Sequence, residues 1–278
     1  MQYYNIYKSI IEGAGNATGG TVLLCRTMGV AMDKVKKYCI ISCHVLWREF
    51  CHFSSLSENI FNFKFLKQGL HCTPDLLRKE LQGAIDAVDD DGYDAILLGY
   101  GLCSNGIVGI TAGKTRLAVM KGHDCITFLL GSKERYKEYF DSHPGTYWYS
   151  PGWIDTGTQP GKERYESVYN EYLERYGEEN AEYLMEMDQG WFREYSNAAY
   201  VDLGFCNAAQ YKEYTKDCAQ WLKWNYEELE GDNKLISDFL SGSWNDEDFL
   251  VVEPGQKIIA SNDNRIMDVE AASSIEGM

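Results

Sequence analysis

The chain has 278 residues and 45% hydrophobic content, enough for one large domain with a buried core or a domain with a substantial appendage. A formal charge of -16 repels phosphate backbones and anionic lipid, which argues against nucleic-acid and membrane-surface roles, and no apolar run approaches the roughly 18 residues that a membrane-crossing helix needs. No secretory signal is expected, so the nine cysteines, an odd number, read as reduced thiols of a cytoplasmic protein, with metal binding or thiol chemistry ahead of a disulfide framework.

Residues 1–31 carry Gly13, Gly15, Gly19 and Gly20, few acidic groups and no sustained periodicity, and are expected to form a weakly ordered extension. From Met32 the pattern alternates strand and helix, and 32–155 is expected to be an α/β core. Residues 35–43 read as a strand and 45–53 as a helix. Thr73 and Pro74 supply an N-cap and a first helical position for a helix over 76–88, with Leu77, Leu81, Ala84, Ile85 and Val88 as its apolar positions. Asp89-Asp90-Asp91-Gly92 stops it. Buried strands follow at 95–99 and 117–120, and Ser132 caps a helix reaching Phe140. This alternation predicts a mostly parallel, Rossmann-like α/β sheet flanked by helices.

Beyond Pro144 the texture becomes aromatic and acidic. A glycine-punctuated aromatic stretch over 145–154 precedes a long helix over 163–187, with Tyr165, Tyr169, Tyr172, Leu173 and Tyr176 on adjoining turns, and a second helix over 208–229. Runs at 249–252 and 257–260, either side of Pro254-Gly255, read as late strands. Residues 156–278 are therefore expected to be an aromatic-rich helical portion whose late strands complete or cover the core.

Cys43, Cys103 and Cys125 each follow an apolar, strand-like run. Ligands of an open α/β sheet collect at the carboxyl ends of its strands, so three thiols placed there are expected to converge on a soft-metal site, zinc or an iron–sulfur cluster. His44, His71 and His123 are the imidazoles nearest to those strand ends. In His123-Asp124-Cys125 an extended backbone puts the imidazole and the thiol on one face and turns the carboxylate away. The loop over 99–106 departs in its glycine spacing from the dinucleotide fingerprint. Gly99, Gly101 and Gly106, with Tyr100 among them, read instead as a tight turn that lets backbone approach a metal, cluster or ligand. The stretch from Tyr147 to Trp153 lines a pocket, stacks on a flat cofactor or fills a core, and its paired Pro-Gly steps suggest a lid. Cys25, Cys39, Cys206 and Cys218 read as small buried hydrophobes.

Taken together, Ser42-Cys43, Leu70-His71 before Thr73-Pro74, Leu98-Gly99-Tyr100-Gly101-Leu102-Cys103, His123-Asp124-Cys125, Leu130-Gly131-Ser132, Pro144-Gly145-Thr146-Tyr147 and Gly152-Trp153 resemble the domain-of-unknown-function family 1638 over roughly residues 35–230. The resemblance implies functional positions at Cys43, His71, Cys103, His123, Asp124 and Cys125, and an association with corrinoid-dependent methyl transfer in anaerobic bacteria and methanogenic archaea. Two positions depart from the family pattern: His44 stands where an acidic residue is usual, and Met120-Lys121 where a Pro-Arg pair is. The resulting expectation is a metal-binding protein of one-carbon metabolism. Cys43, Cys103, Cys125 and His71 or His123 hold zinc or an iron–sulfur cluster, His123 moves a proton, and Asp124 orients it or caps a strand end. A corrinoid, a corrinoid protein or a methyltransferase is the implied partner. The alternatives are a non-enzymatic accessory protein that docks to an enzyme and a metal-free small-molecule binder with buried thiols.

Overall fold

The computed structural model describes residues 35–272, so the expected extension over 1–31 and Cys25 lie outside the described residues. Strand β1 (Lys37–Cys43) runs parallel to β2 (Ile60–Leu66) on one side and to β3 (Ala95–Gly99) on the other, and β3 runs parallel to β4 (Leu117–Met120). Ser42 lies opposite Gly99 and Leu98 opposite Val119, so the carboxyl ends of β1, β3 and β4 stand side by side.

These three segments are strands because they are apolar on both faces. Ile40, Leu97 and Ala118 enter one core while their neighbours Ile41, Leu98 and Val119 enter another. A strand buried on both sides is what a helix-covered parallel sheet requires. Helix α1 (Trp47–Ser54) brings Phe50 and Phe53 to the first face, and α2 (Pro74–Asp86) brings Leu77, Leu81 and Ile85 to the second. Each such side chain, fully buried, contributes roughly 1.5–3 kcal/mol. Helix α3 (Cys125–Leu130) follows β4 closely and buries Phe128, Leu129 and Leu130 on the first face. Helix α4 (Lys133–Ser142) is capped as expected, with Ser132 Oγ accepting from the backbone N–H groups of Glu134 and Arg135.

The second half departs further from expectation. β5 (Thr146–Tyr149) leads into the short α5 (Pro151–Thr156). The single helix expected over 163–187 is two, α6 (Lys162–Tyr176) and α7 (Glu178–Gln189), because Gly177 takes a left-handed φ of 78° that no right-handed helix tolerates. β6 (Asn197–Asp202) follows, and the helix expected over 208–229 stops early as α8 (Ala208–Leu222). Lys223 turns left-handed with φ 59°, and the chain continues as β7 (Asn225–Glu230). Strands β5, β6 and β7 form a parallel three-stranded sheet in that order, so the portion expected to be helical carries strands of its own. Helix α9 (Lys234–Ser241) then packs Leu235, Ile236, Phe239 and Leu240 onto the first core. β8 (Phe249–Val252) joins the main sheet antiparallel to β4, completing the order β2-β1-β3-β4-β8, and β9 (Gln256–Ala260) pairs antiparallel with β10 (Met267–Ala271). The fold is thus mixed α/β with a mostly parallel central sheet. Among the described residues no helix is long and apolar enough to cross a membrane.

Candidate functional site

From β1 the chain passes to β2 on one side and then to β3 on the other, so the order of strands reverses between β1 and β3. The crevice outside the carboxyl ends at such a reversal is where α/β sheets bind ligands. A cavity of about 950 Å3 opens there, at the upper end of the roughly 300–1,000 Å3 usual for small-molecule sites.

One side of the cavity carries the thiols. Cys43 ends β1, Cys103 sits in the loop after β3, and Cys125 is the first residue of α3. His71 and Cys72 arrive on the turn after β2, while Tyr100, His123 and Asp124 complete this side. The rest of the lining is largely aromatic: Tyr147 and Trp148 from β5, Trp153 from α5 with its ring 6.0 Å from that of His71, and Trp191 and Tyr195 from the turn before β6. Of the expected site residues, Gly99 also lines the cavity, whereas Gly101 and Gly106 serve packing. A Cβ on Gly101 would lie 2.8 Å from both Asp124 N and Gly122 O, so only glycine lets the β3 and β4 loops touch. Two backbone bonds close that seam, Leu102 N–H to Gly122 O at 2.8 Å and Cys103 N–H to His123 O at 2.9 Å. Gly106 packs against Leu77.

The loop carrying Cys103 is strained. Cys103, Ser104 and Asn105 have φ of 47°, 56° and 64°, three successive non-glycine residues in the left-handed region, where each costs roughly 1–2 kcal/mol. Gly106 N–H to Cys103 O at 2.9 Å closes the turn, and Arg78 of α2 clamps it by donating to the carbonyls of Asn105, at 3.2 Å, and Val108. Strain held by surrounding structure in this way concentrates at functional sites.

Asp124 is committed as the N-cap of α3. Its Oδ1 accepts from Ile126 N–H at 3.0 Å and its Oδ2 from Tyr136 Oη–H at 2.8 Å. The Tyr136 ring stacks near Trp148, with centroids 6.1 Å apart, which ties the thiol side to the aromatic side. Burial pushes the Asp124 carboxyl up against the opposing pull of those hydrogen bonds. Burial also raises all three thiols. Cys103 reaches about 12, with Asp124 and Cys43 adding repulsion, and Cys125 rises well above its ordinary value with Asp124, Cys43 and Cys103 all contributing. Desolvation lowers His71, partly offset by the Asp124 charge. The Tyr100 hydroxyl is buried with no hydrogen-bond partner, and burial pushes it up, with Cys43 and Cys103 adding to the shift. Among the described residues no three His, Cys, Asp or Glu side chains stand close enough to hold a metal ion as they lie.

The family described as a protein of unknown function (DUF1638) matches residues 65–240, more than half of the chain. The chain belongs to this family. The matched segment of this DUF1638 protein holds His71, Cys103, the His123-Asp124-Cys125 run, Tyr147 and Trp153, whereas Cys43 lies outside it, 22 residues before its start. No curated protein and no solved structure gives a match. Sequence reasoning missed Trp191, Tyr195 and Tyr136. Trp148 falls within the expected stretch from Tyr147 to Trp153, but Trp191 and Tyr195 reach the cavity through a 3-10 turn far along the chain and carry no local signature.

Proposed function

We propose that this is a cytoplasmic metal-binding protein whose Rossmann-like sheet presents Cys43, Cys103 and Cys125 as thiolate ligands, with His71 as the fourth, in corrinoid-linked methyl-group metabolism. One observation carries the reading: three cysteines from three neighbouring strand ends open onto a single cavity. The donor set suits a soft cation, since thiolate and imidazole are the ligands of zinc and of iron–sulfur clusters. A bound cation would also offset the mutual repulsion that opposes ionisation of these thiols. The buried, unpartnered hydroxyl of Tyr100 is a donor suited to a thiolate or ligand atom beside Cys43 and Cys103.

Zinc held there would supply Lewis-acid activation of a thiol or other small nucleophile for methyl transfer, and an iron–sulfur cluster would supply electron transfer. His123 is exposed and lines the cavity, placed to take or return a proton. Asp124 positions α3, and with it Cys125 at the first helical residue. A corrinoid protein or methyltransferase is the partner this role requires. A second reading, a thiol-lined small-molecule binder, is favoured by the finding that the ligating side chains are not gathered as they lie.

The test is elemental analysis with an ultraviolet–visible spectrum on protein purified without air and without tag-borne metal, repeated on Cys43→Ser, Cys103→Ser and Cys125→Ser. Near-stoichiometric zinc, or iron with acid-labile sulfide, is expected in the parent and lost in each variant, while Cys218→Ser keeps it. Full occupancy in all three variants, or no metal even after reconstitution, sinks the metal reading and leaves the small-molecule binder.

A further inference from the structure

The aromatic side of the cavity is continuous with the aromatic core through Tyr147, whose ring meets that of Tyr149 with centroids 5.2 Å apart, but it differs from that core in facing open space. Tyr149 and Tyr200 are fully buried among Ala198, Cys218 and Ala219, whereas Tyr147, Trp148, Trp153, Trp191 and Tyr195 face the cavity and Trp191 keeps 40% of its surface exposed. Their rings are inclined to one another. Tyr147 and Tyr195 meet at 75° with centroids 5.5 Å apart, and Trp191 and Tyr195 at 86° and 5.6 Å. Trp153 Nε1–H donates to Tyr147 Oη at 3.2 Å, which in turn donates to Gln159 Oε1 at 3.2 Å, so the wall is tied in place. A flat ligand is best served by parallel plates, while a compact cation is best served by ring faces converging from several directions.

Charge points the same way. Among the described residues lining the cavity there is no Lys or Arg. Lys121, near the cavity in sequence, is buried and its Nζ–H donates to Asp246 O at 2.6 Å. Arg164, the cation acting on Tyr147, is paired with Asp188 at 2.8 Å. The cavity therefore holds no permanent cation to neutralise a phosphate or carboxylate, only the imidazoles of His71 and His123, and the field of a chain carrying -16 repels anions and gathers cations. A methylated onium needs no hydrogen-bond partner and is held by ring faces alone.

We infer that the aromatic wall of Tyr147, Trp153, Trp191 and Tyr195 receives a methylated onium group, a quaternary ammonium or a sulfonium, carried on a small organic ligand whose remainder extends toward the thiols. The inference rests on the cavity being the functional site and not on which metal it holds. Onium methyl groups facing a thiol wall also match the methyl chemistry proposed above. The cavity, at about 950 Å3, leaves room for more than the cation itself.

The experiment is tryptophan fluorescence and titration calorimetry on the full chain with choline and its neutral carbon isostere, 3,3-dimethyl-1-butanol. Tetramethylammonium and trimethylsulfonium separate the two onium sources, and metal content is measured on the same samples. Choline is expected to bind at least about tenfold more tightly than the isostere, and Trp191→Leu and Tyr195→Leu to remove most of that preference without changing metal content. Equal affinity for choline and isostere, no binding of any onium at millimolar concentration, or tighter binding of inorganic phosphate overturns the inference. Metal present without onium binding sinks the onium inference alone, and onium binding without metal sinks the metal reading alone.

Discussion

Glu49 shows how one misplaced charge is expected to set the pH response of the fold. It sits on α1, 1% exposed, with Oε2 lacking any partner, and burial pushes its carboxyl up to about 7 against the weaker opposing pull of Arg48. Between its unfolded value of 4.5 and about 7 the folded protein holds the proton more tightly, so stability from this group is present below 4.5 and falls as pH rises through 7. The full penalty above 7 is on the order of 3 kcal/mol at about 1.4 kcal/mol per pH unit. Glu49→Gln keeps the shape and removes the charge. Urea unfolding should show the variant more stable by about 1–3 kcal/mol at pH 8 and nearly equal to the parent at pH 5, because a neutral amide still lacks a partner but avoids ion desolvation. Parallel pH profiles for the two proteins would refute the assignment. Nothing in the local sequence marks Glu49 as buried; on the expected helix it reads as part of a polar face, and only the packing of α5 against this end of α1 encloses it.

Capping residues separate what a sequence states from what the fold uses. Thr73 before Pro74 and Ser132 before Lys133 both read as N-caps, and both helices start there, yet only Ser132 makes the bond, to Glu134 N at 3.1 Å and Arg135 N at 3.2 Å. Ser132→Ala should therefore lower stability by about 1 kcal/mol, a melting shift of roughly 2–4 °C for a chain of this size, while Thr73→Ala should leave the melting curve almost unchanged. Equal losses would mean that the difference between the caps is not real. Helix ends were legible elsewhere only where chemistry forces them. β3 and β4 fall at the expected residues because apolar runs bounded by polar ones leave little choice. The end of α8 was not legible: Asn225–Glu230 favours helix by composition and becomes a strand because β6 offers it a parallel partner, a tertiary contact that overrides local preference. Gly177 was visible, but a glycine within a helical pattern does not by itself declare a break.

At the scale of the whole molecule, the placement of Cys43, Cys103 and Cys125 around one cavity was readable because topology does the work, although among the described residues they do not stand close enough to hold a metal ion as they lie. Once three apolar strands are recognised as neighbours in a parallel sheet, their carboxyl ends must share a crevice, whatever lies between them in sequence. The aromatic wall was only half readable, since Trp191 and Tyr195 depend on how the second sheet is assembled. The same chain-wide view yields a test of its acidity. Most ion pairs among the described residues are exposed, as in Lys114 with Asp90 or Arg193 with Glu186, and each exposed pair contributes about 0–1 kcal/mol that salt weakens. Against them stands an excess of 16 negative charges, whose mutual repulsion disfavours the compact state and is screened over roughly 10 Å at 0.1 M salt. With 42 acidic residues and 26 basic ones, many carboxylates have no cation to lose, so screening should remove more repulsion than attraction. The melting temperature should therefore rise between about 0.01 M and 0.3 M sodium chloride. A fall over that range would mean that the paired charges outweigh the unpaired ones and that the acidic excess is dispersed too widely to strain the fold.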